Sequence, residues 1–152
     1  MKNRFLALLA AFVVTAISCH ESHAQFSRLS FGKYGVESLW PESMSSLAGS
    51  VWVEVTNGGE GFSVSQVKGT LYKECKAFIS GSADSFRISR GTRKCVVKGR
   101  ANLCEGVSLW EALTLVSFDP EAYTADISMR VTMDSGASRV IVKKGVKLSR
   151  FL

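Results

Sequence analysis

The sequence contains very little histidine, and what it has lies near the N-terminus. Both histidines, His20 and His23, precede Gln25. If the first 24 residues are removed on export, the remaining chain has none. This excludes His-dependent acid–base catalysis, Ser/His or Cys/His nucleophile pairs and most zinc sites. The sequence also lacks a Gly-rich phosphate loop, a Ca²⁺ loop and a metal-ligand cluster, so it predicts no catalytic residues, no metal and no cofactor.

Cysteine is also scarce, and its number beyond residue 24 is odd. Cys75, Cys95 and Cys104 remain after that point. An exported protein meets an oxidising compartment, which favours one disulfide and one leftover thiol. The spacing of Cys95 and Cys104 suits a strand and the loop after it, so these two form the candidate disulfide. The alternative is that all three are small buried apolar residues.

The N-terminal segment has the layout of a secretory signal. Lys2 and Arg4 precede an apolar run over residues 5–17, which only Thr15 interrupts, and Ser22-His23-Ala24 supplies small residues for signal peptidase. The run is shorter than the roughly 20 apolar residues that a membrane-spanning helix needs. No other stretch is long enough to span a membrane. We therefore predict a signal peptide over residues 1–24 and one domain over residues 25–152.

A second processing route is open at Cys19. Ala16-Ile17-Ser18-Cys19 resembles a bacterial lipobox, in which Cys19 would be lipidated and become the new N-terminus. The protein would then be a lipoprotein anchored to the outer membrane, rather than a diffusing periplasmic protein. Loss of 24 of the 152 residues leaves 128, with 17 basic and 12 acidic side chains and a formal charge near +5.

The remaining chain has the pattern of an all-β domain. Short apolar runs alternate with clusters of Gly, Asn, Asp and Ser. The clearest strands are Val51–Thr56 and Tyr123–Met133, where apolar and polar residues alternate. Asn57-Gly58-Gly59 is interpreted as a turn whose residues tolerate positive φ, and Ser80–Asp84 as a loop. Asp134–Ala137 is predicted to form a hairpin turn.

One short helix interrupts this pattern near residues 108–116. Ser108 and Glu111 have the spacing of a capping box, in which each side chain accepts a hydrogen bond from the other residue's backbone amide. Apolar residues then cover most of the helix circumference. We expect this helix to pack against the sheet, with docking on a partner as the alternative.

The order of these segments resembles the late embryogenesis abundant type 2 family and its water-stress (WHy) domain. The resemblance rests on an alternating strand that ends in Asn57, on Gly69-Thr70-Leu71-Tyr72, on Ile79-Ser80-Gly81 and on residues 88–91. It covers roughly residues 35–150, with Gly58 where the family often has proline. It implies an immunoglobulin-like antiparallel β-sandwich of about seven strands, to which the helix is an addition, and no catalytic residues.

A basic segment without acidic residues is the candidate binding site. It could form an anion-binding face and contains Arg87, Arg90, Arg93, Lys94, Lys98 and Arg100. The alternative is a solvated surface. Its poor aromatic content and the predicted export exclude nucleic acid as a partner. The remaining partners are anionic lipid, a glycan or an acidic protein, with membrane contact only through a lipid anchor at Cys19.

The sequence therefore predicts a non-enzymatic exported envelope protein that acts by binding, structural support or stress protection. An alternative is a periplasmic immunity-type protein that neutralises a toxin. A weaker alternative is a small hydrolase that uses two carboxylates. Trp40, Trp52 and Trp110 are candidate anchors for a partner. Trp52 is predicted to be the most exposed of them, because it shares a strand face with Glu54 and Thr56.

Expression of the full chain in a Gram-negative host tests the predicted export. The intact mass of the purified product should correspond to loss of residues 1–24, or to a lipidated chain that begins at Cys19. A full-length product in the cytoplasm would contradict both routes.

Overall fold

The computed structural model describes residues 28–108 and 119–147, and these residues form an antiparallel all-β structure with one 3₁₀ turn at Pro120–Ala122. The predicted signal segment with Cys19, and the predicted helix beyond Ser108, lie outside the described residues. The strands are β1 (Leu29–Pro41), β2 (Ser46–Asn57), β3 (Phe62–Lys73), β4 (Lys76–Ala83), β5 (Phe86–Ile88), β6 (Gly91–Leu103), β7 (Tyr123–Met133) and β8 (Ser138–Lys147).

All eight strands belong to one open sheet. The pairing order is β1-β2-β6-β4-β3-β7-β8, and β5 pairs with the first residues of β3. Every pair is antiparallel. The prediction of an antiparallel all-β domain is therefore confirmed, with eight strands in the described residues against about seven expected.

The sheet curves so that its two halves share a core. Val53 and Val55 of β2 belong to the same buried cluster as Val131 and Met133 of β7, although three strands lie between β2 and β7 in the pairing order. Inward and outward residues alternate perfectly along β7, as the predicted period of two requires. A β-bulge in β3, where Gln66 has a φ of 54°, breaks the register with β7 and adds local bending.

Residues 80–83 form strand and not the predicted loop. They belong to β4, which pairs with β3 on one side and with β6 on the other. Gly81 lies between Gly69 of β3 and Ala101 of β6 in this register. The polar, glycine-containing sequence has low strand propensity, but hydrogen bonding on both sides of a central strand overrides that preference.

The turn between β2 and β3 is present, but its predicted mechanism is wrong. None of residues 57–61 has positive φ. Instead, the Asn57 side chain is buried, donates to the Glu60 carbonyl oxygen (2.9 Å) and accepts from the Gly59 amide (2.9 Å). Because both ends of this buried amide are hydrogen-bonded, the side chain itself fixes the turn.

The predicted disulfide between Cys95 and Cys104 is also wrong. All three described cysteines are free thiols. Cys95 lies within β6, and Cys104 directly follows Leu103, the last residue of β6. Nearly all of the chain between the two cysteines is therefore extended strand. At about 3.3 Å per residue this separates them by roughly 30 Å, whereas bridged Cα atoms lie about 4.4–6.8 Å apart.

Replacement of Met129 tests whether the shared core stabilises the fold. Met129 is 1 % exposed, and Met129→Ala should lower the free energy of unfolding by roughly 2–5 kcal/mol, the range for buried large-to-small changes. Val140→Ala is the control, because Val140 is on the adjacent β8 but 51 % exposed, and should change stability by less than about 0.5 kcal/mol. Urea denaturation measures both; equal losses would contradict this location of the core.

Candidate anion-binding site

The predicted basic segment does not form one continuous surface. It runs from β5 through a short turn into β6, and strand alternation separates its side chains. Lys94, Lys98 and Arg100 share the outer face of β6. Arg87, Arg90 and Arg93 lie where β5 ends and β6 begins.

The outer face of β6 has acidic and aromatic neighbours that the segment itself lacks. Lys94 is directly opposite Glu54 of β2, and its Nζ atom lies 4.8 Å above the centre of the Trp52 ring. Arg100 forms an ion pair with Glu42 (Nε to Oε1, 3.2 Å). Two of the three cations on this face are therefore already close to groups that attract them.

Trp52 is less exposed than predicted. It is half-buried below Lys94, and a side chain at Gly35 of the neighbouring β1 would come within 2.8 Å of its indole nitrogen. Gly35 therefore makes room for the indole ring against β1. Trp40, with 47 % exposure, is the more exposed of the two described tryptophans, so the predicted order is wrong. Trp110 lies outside the described residues.

Arginine is concentrated at one end of the sheet, which we call the arginine end. It comprises residues 28–31, 55–64, 86–93 and 131–139, and includes the start of β1 and the β2–β3, β5–β6 and β7–β8 turns. These residues include five arginines and two acids. The arginines are Arg28, Arg87, Arg90, Arg93 and Arg139, and the acids are Glu60 and Asp134.

Both acids at the arginine end have local partners. Asp134 forms a two-point ion pair with Arg87, in which each guanidinium Nη contacts one carboxylate oxygen at 2.6 Å. Gly61 leaves room for this pair, since a Cβ there would lie 2.6 Å from the Asp134 carboxylate. The Glu60 carboxylate accepts a hydrogen bond from the Ser135 amide.

Three arginines of this end are exposed and form no ion pair with any described residue. They are Arg28, Arg90 and Arg93. The register brings Arg28 and Arg90 close to each other, because Leu29 and Gly91, which follow them, both pair with Asn57 of β2. Neighbouring strands are about 4.8 Å apart, so the backbones of Arg28 and Arg90 are roughly 10 Å from each other.

The opposite end of the sheet has a small excess of acidic residues, although Glu42 there pairs with Arg100, which directly precedes residues 101–108, and we call it the acidic end. It comprises residues 40–47, 71–79, 101–108, 119–125 and 146–147 of the described chain. These residues include five acids and three lysines. The acids are Glu42, Glu74, Glu105, Asp119 and Glu121, and the lysines are Lys73, Lys76 and Lys147.

Sequence reasoning missed Arg28 and Arg139, because both are distant from the basic segment along the chain. The register of β1 against β2 and the β7–β8 turn bring them to the same end. A second basic run, Lys143, Lys144 and Lys147, does not extend the site, because it lies in the second half of β8, away from the β7–β8 turn, where Lys143 pairs with Ile127 and Lys147 with Thr124.

The described residues contain no group of three or more His, Cys, Asp or Glu side chains that could hold a metal ion. Within the same two ranges, no helix has the length and apolar character needed to cross a bilayer. A scan against protein-family models finds no match to this chain, and a search of curated proteins finds no match either.

The Arg87–Asp134 pair provides a test of this geometry. The Arg87 guanidinium hydrogen bond lowers the pKa of the Asp134 carboxyl below its ordinary value of 3.8. Because the folded-state pKa is lowered, the stabilisation is complete above the ordinary pKa and is lost as the pH falls through the lowered one. NMR titration of the carboxyl resonance should show this shift, and Arg87→Gln should return the pKa towards 3.8. An unchanged pKa in the variant would contradict the pair.

Proposed function

We propose that this protein is a non-enzymatic, exported binding module of the cell envelope, and that its arginine end binds an anionic ligand. The observation that supports this is that one end of the sheet carries Arg28, Arg90 and Arg93, which are exposed and without an ion-pair partner among the described residues. A guanidinium group offers a planar set of donors that matches carboxylate and phosphate oxygens at two points.

The chemistry of these residues favours binding over catalysis. Arginine keeps its proton throughout the physiological pH range, so none of the three can exchange a proton with a substrate at neutral pH. What they supply is fixed positive charge and hydrogen-bond donors. The Arg87–Asp134 pair nearby is an internal example of the same two-point contact between a guanidinium group and a carboxylate.

The proposal also includes a specific fold, a family and a cellular location. We infer an immunoglobulin-like β-sandwich related to the late embryogenesis abundant type 2 family, located in the periplasm or anchored at the outer membrane. The shared core of β2 and β7 supports the two-layered form. Two of the four short segments that suggested the family pair with each other in register, with Gly69 opposite Gly81 and Leu71 opposite Ile79.

One observation favours a second candidate function, that of an immunity-type protein that binds a protein partner. The β1–β2 hairpin presents Trp40 and Met44 with 47 % and 79 % exposure. Tryptophan and methionine are enriched in protein interfaces, and tryptophan in particular at their energetic centres. This surface lies at the acidic end, so loss of arginine should not affect it.

Binding to dextran sulfate, a soluble polyanion, tests the main proposal. Replacement of Arg90 and Arg93 together by serine should weaken binding by roughly fivefold for each arginine, the upper range for an exposed ion pair. Added salt should weaken wild-type binding, because it screens the charges.

Lys73→Ser combined with Lys76→Ser is the matched control, because it removes the same charge from the acidic end. It should retain most of the wild-type affinity, and thermal melts should show that both variants are folded. Equal losses in the two variants, or no binding by the wild-type protein, would contradict an anion site at the arginine end.

A further inference from the structure

The N-terminal segment joins the described fold at the arginine end. The Arg28 carbonyl oxygen accepts a hydrogen bond from the Gly58 amide (3.1 Å), and Leu29 pairs with Asn57. Arg28 also lies against Gly58, with its Cβ atom 3.4 Å from the position that a Cβ of Gly58 would take. The point of attachment and the unpaired arginines therefore occupy the same end.

Covalent geometry limits how far this end can be from an N-terminal anchor. Arg28 follows Cys19 by nine positions, and an extended chain covers at most about 3.3–3.6 Å per residue, so the separation is at most roughly 30 Å. The acidic end is farther away by the length of β1, whose 13 residues extend for about 40 Å. A domain tethered at Cys19 would thus have its arginine end within easy reach of the membrane.

We propose that the arginine end docks on the surface of an anionic lipid bilayer, with the acidic end pointing away from it. This inference rests on the proposed function and names the ligand as phosphate-containing lipid headgroups. Arg28 directly precedes β1, Arg90 lies in the β5–β6 turn and Arg93 lies near the start of β6, so the three spread over the end of the sheet. Such a spread of charges fits an extended layer of headgroups better than a single small anion.

The different charge of the two ends determines how the docked domain is oriented relative to the membrane. An anionic surface attracts the arginine end and repels the acidic end, within a distance of about 8–10 Å at physiological salt. The strongly exposed large apolar side chains, such as Trp40, Met44, Val140 and Val142, lie outside the arginine end. The contact therefore depends on charge and should be reversible.

Energy transfer from a dye on the protein to acceptor lipids tests this orientation. The protein is the full chain with Cys19→Ser, purified from the envelope, so that no lipid anchor holds it to the vesicles, which contain phosphatidylcholine with phosphatidylglycerol. Cys75 is exposed and lies in the β3–β4 turn at the acidic end, and Cys104 lies at the same end. Dyes on these thiols report on the far end of the docked domain.

The near-end reporter is Ser135→Cys, in the exposed β7–β8 turn, combined with Cys75→Ser and Cys104→Ser. Cys95 is half-buried and stays unchanged. Transfer should be strong from the near-end dye and several-fold weaker from the far-end dyes. Equal transfer from both ends, or stronger transfer from the far end, would overturn the proposed orientation.

A charge-matched pair of triple variants tests which residues make the contact. Arg28→Ser, Arg90→Ser and Arg93→Ser together should weaken vesicle binding by about fivefold per arginine. Lys73→Ser, Lys76→Ser and Lys147→Ser carry the same change in net charge and should bind nearly as the wild-type protein does. Equal losses in the two variants would overturn the inference.

The vesicle and dextran sulfate measurements distinguish the two proposals. If the wild-type protein binds the soluble polyanion through its arginines but does not bind the vesicles, the anion site stands and the lipid inference fails. If it binds neither, both proposals fail. Vesicle binding that survives the loss of all three arginines would show that other residues make the contact.

Discussion

The fold depends on the pairing of β4 with strands on both sides. In the described chain, β1, β2 and β6 form one half of the sheet, and β3, β7 and β8 form the other. β4 pairs with β3 along its length, and its residues 79–83 also pair with β6, so it joins both halves. The shared core of β2 and β7 requires these halves to face each other, and β4 is the strand that joins them in the sheet.

The position of the arginine end follows from where β4 stops. Beyond Ala83, the Asp84 amide donates to the Lys98 carbonyl oxygen (2.8 Å), and β5 then pairs with β3 alone. The first residues of β6 pair only with β2 among the described strands. The turn that carries Arg90 therefore sits where the two halves of the sheet are no longer joined through β4. This leaves its side chains exposed at that end.

Local pattern was sufficient to predict much of the fold. β2 and β7 were predictable because half-buried strands alternate with a period of two, and Asp134–Ala137 has the composition of a hairpin turn. β4 was only partly predictable, because hydrogen bonds from two distant strands hold Ser80–Ala83 in strand conformation. The Cys95–Cys104 pairing failed for a related reason, since the strand that contains Cys95 continues much farther than its apolar residues suggested.

The candidate site was harder to predict from the sequence than the fold. Which acidic residues lie beside which basic ones depends on the pairing of strands that are distant in the sequence. The basic segment looked free of acids, but Asp134 is 47 positions from its partner Arg87. Glu42 and Glu54 reach Arg100 and Lys94 only through strand pairing and hairpin geometry. Strand pairing also brings arginines together: Arg28 and Arg90 lie close to each other because both flank the end of β2. Their positions in the sequence are too far apart to predict this.

The use of arginine for all five cations at this end has a physiological consequence. A histidine-based contact would switch on or off near neutral pH, but guanidinium charges stay constant there. The strength of such a contact then follows the ionic strength around the protein, because the screening length shortens as salt rises. If the arginine end binds the proposed anionic ligand, low ionic strength would hold the domain there and high ionic strength would release it, without any change in the protein itself.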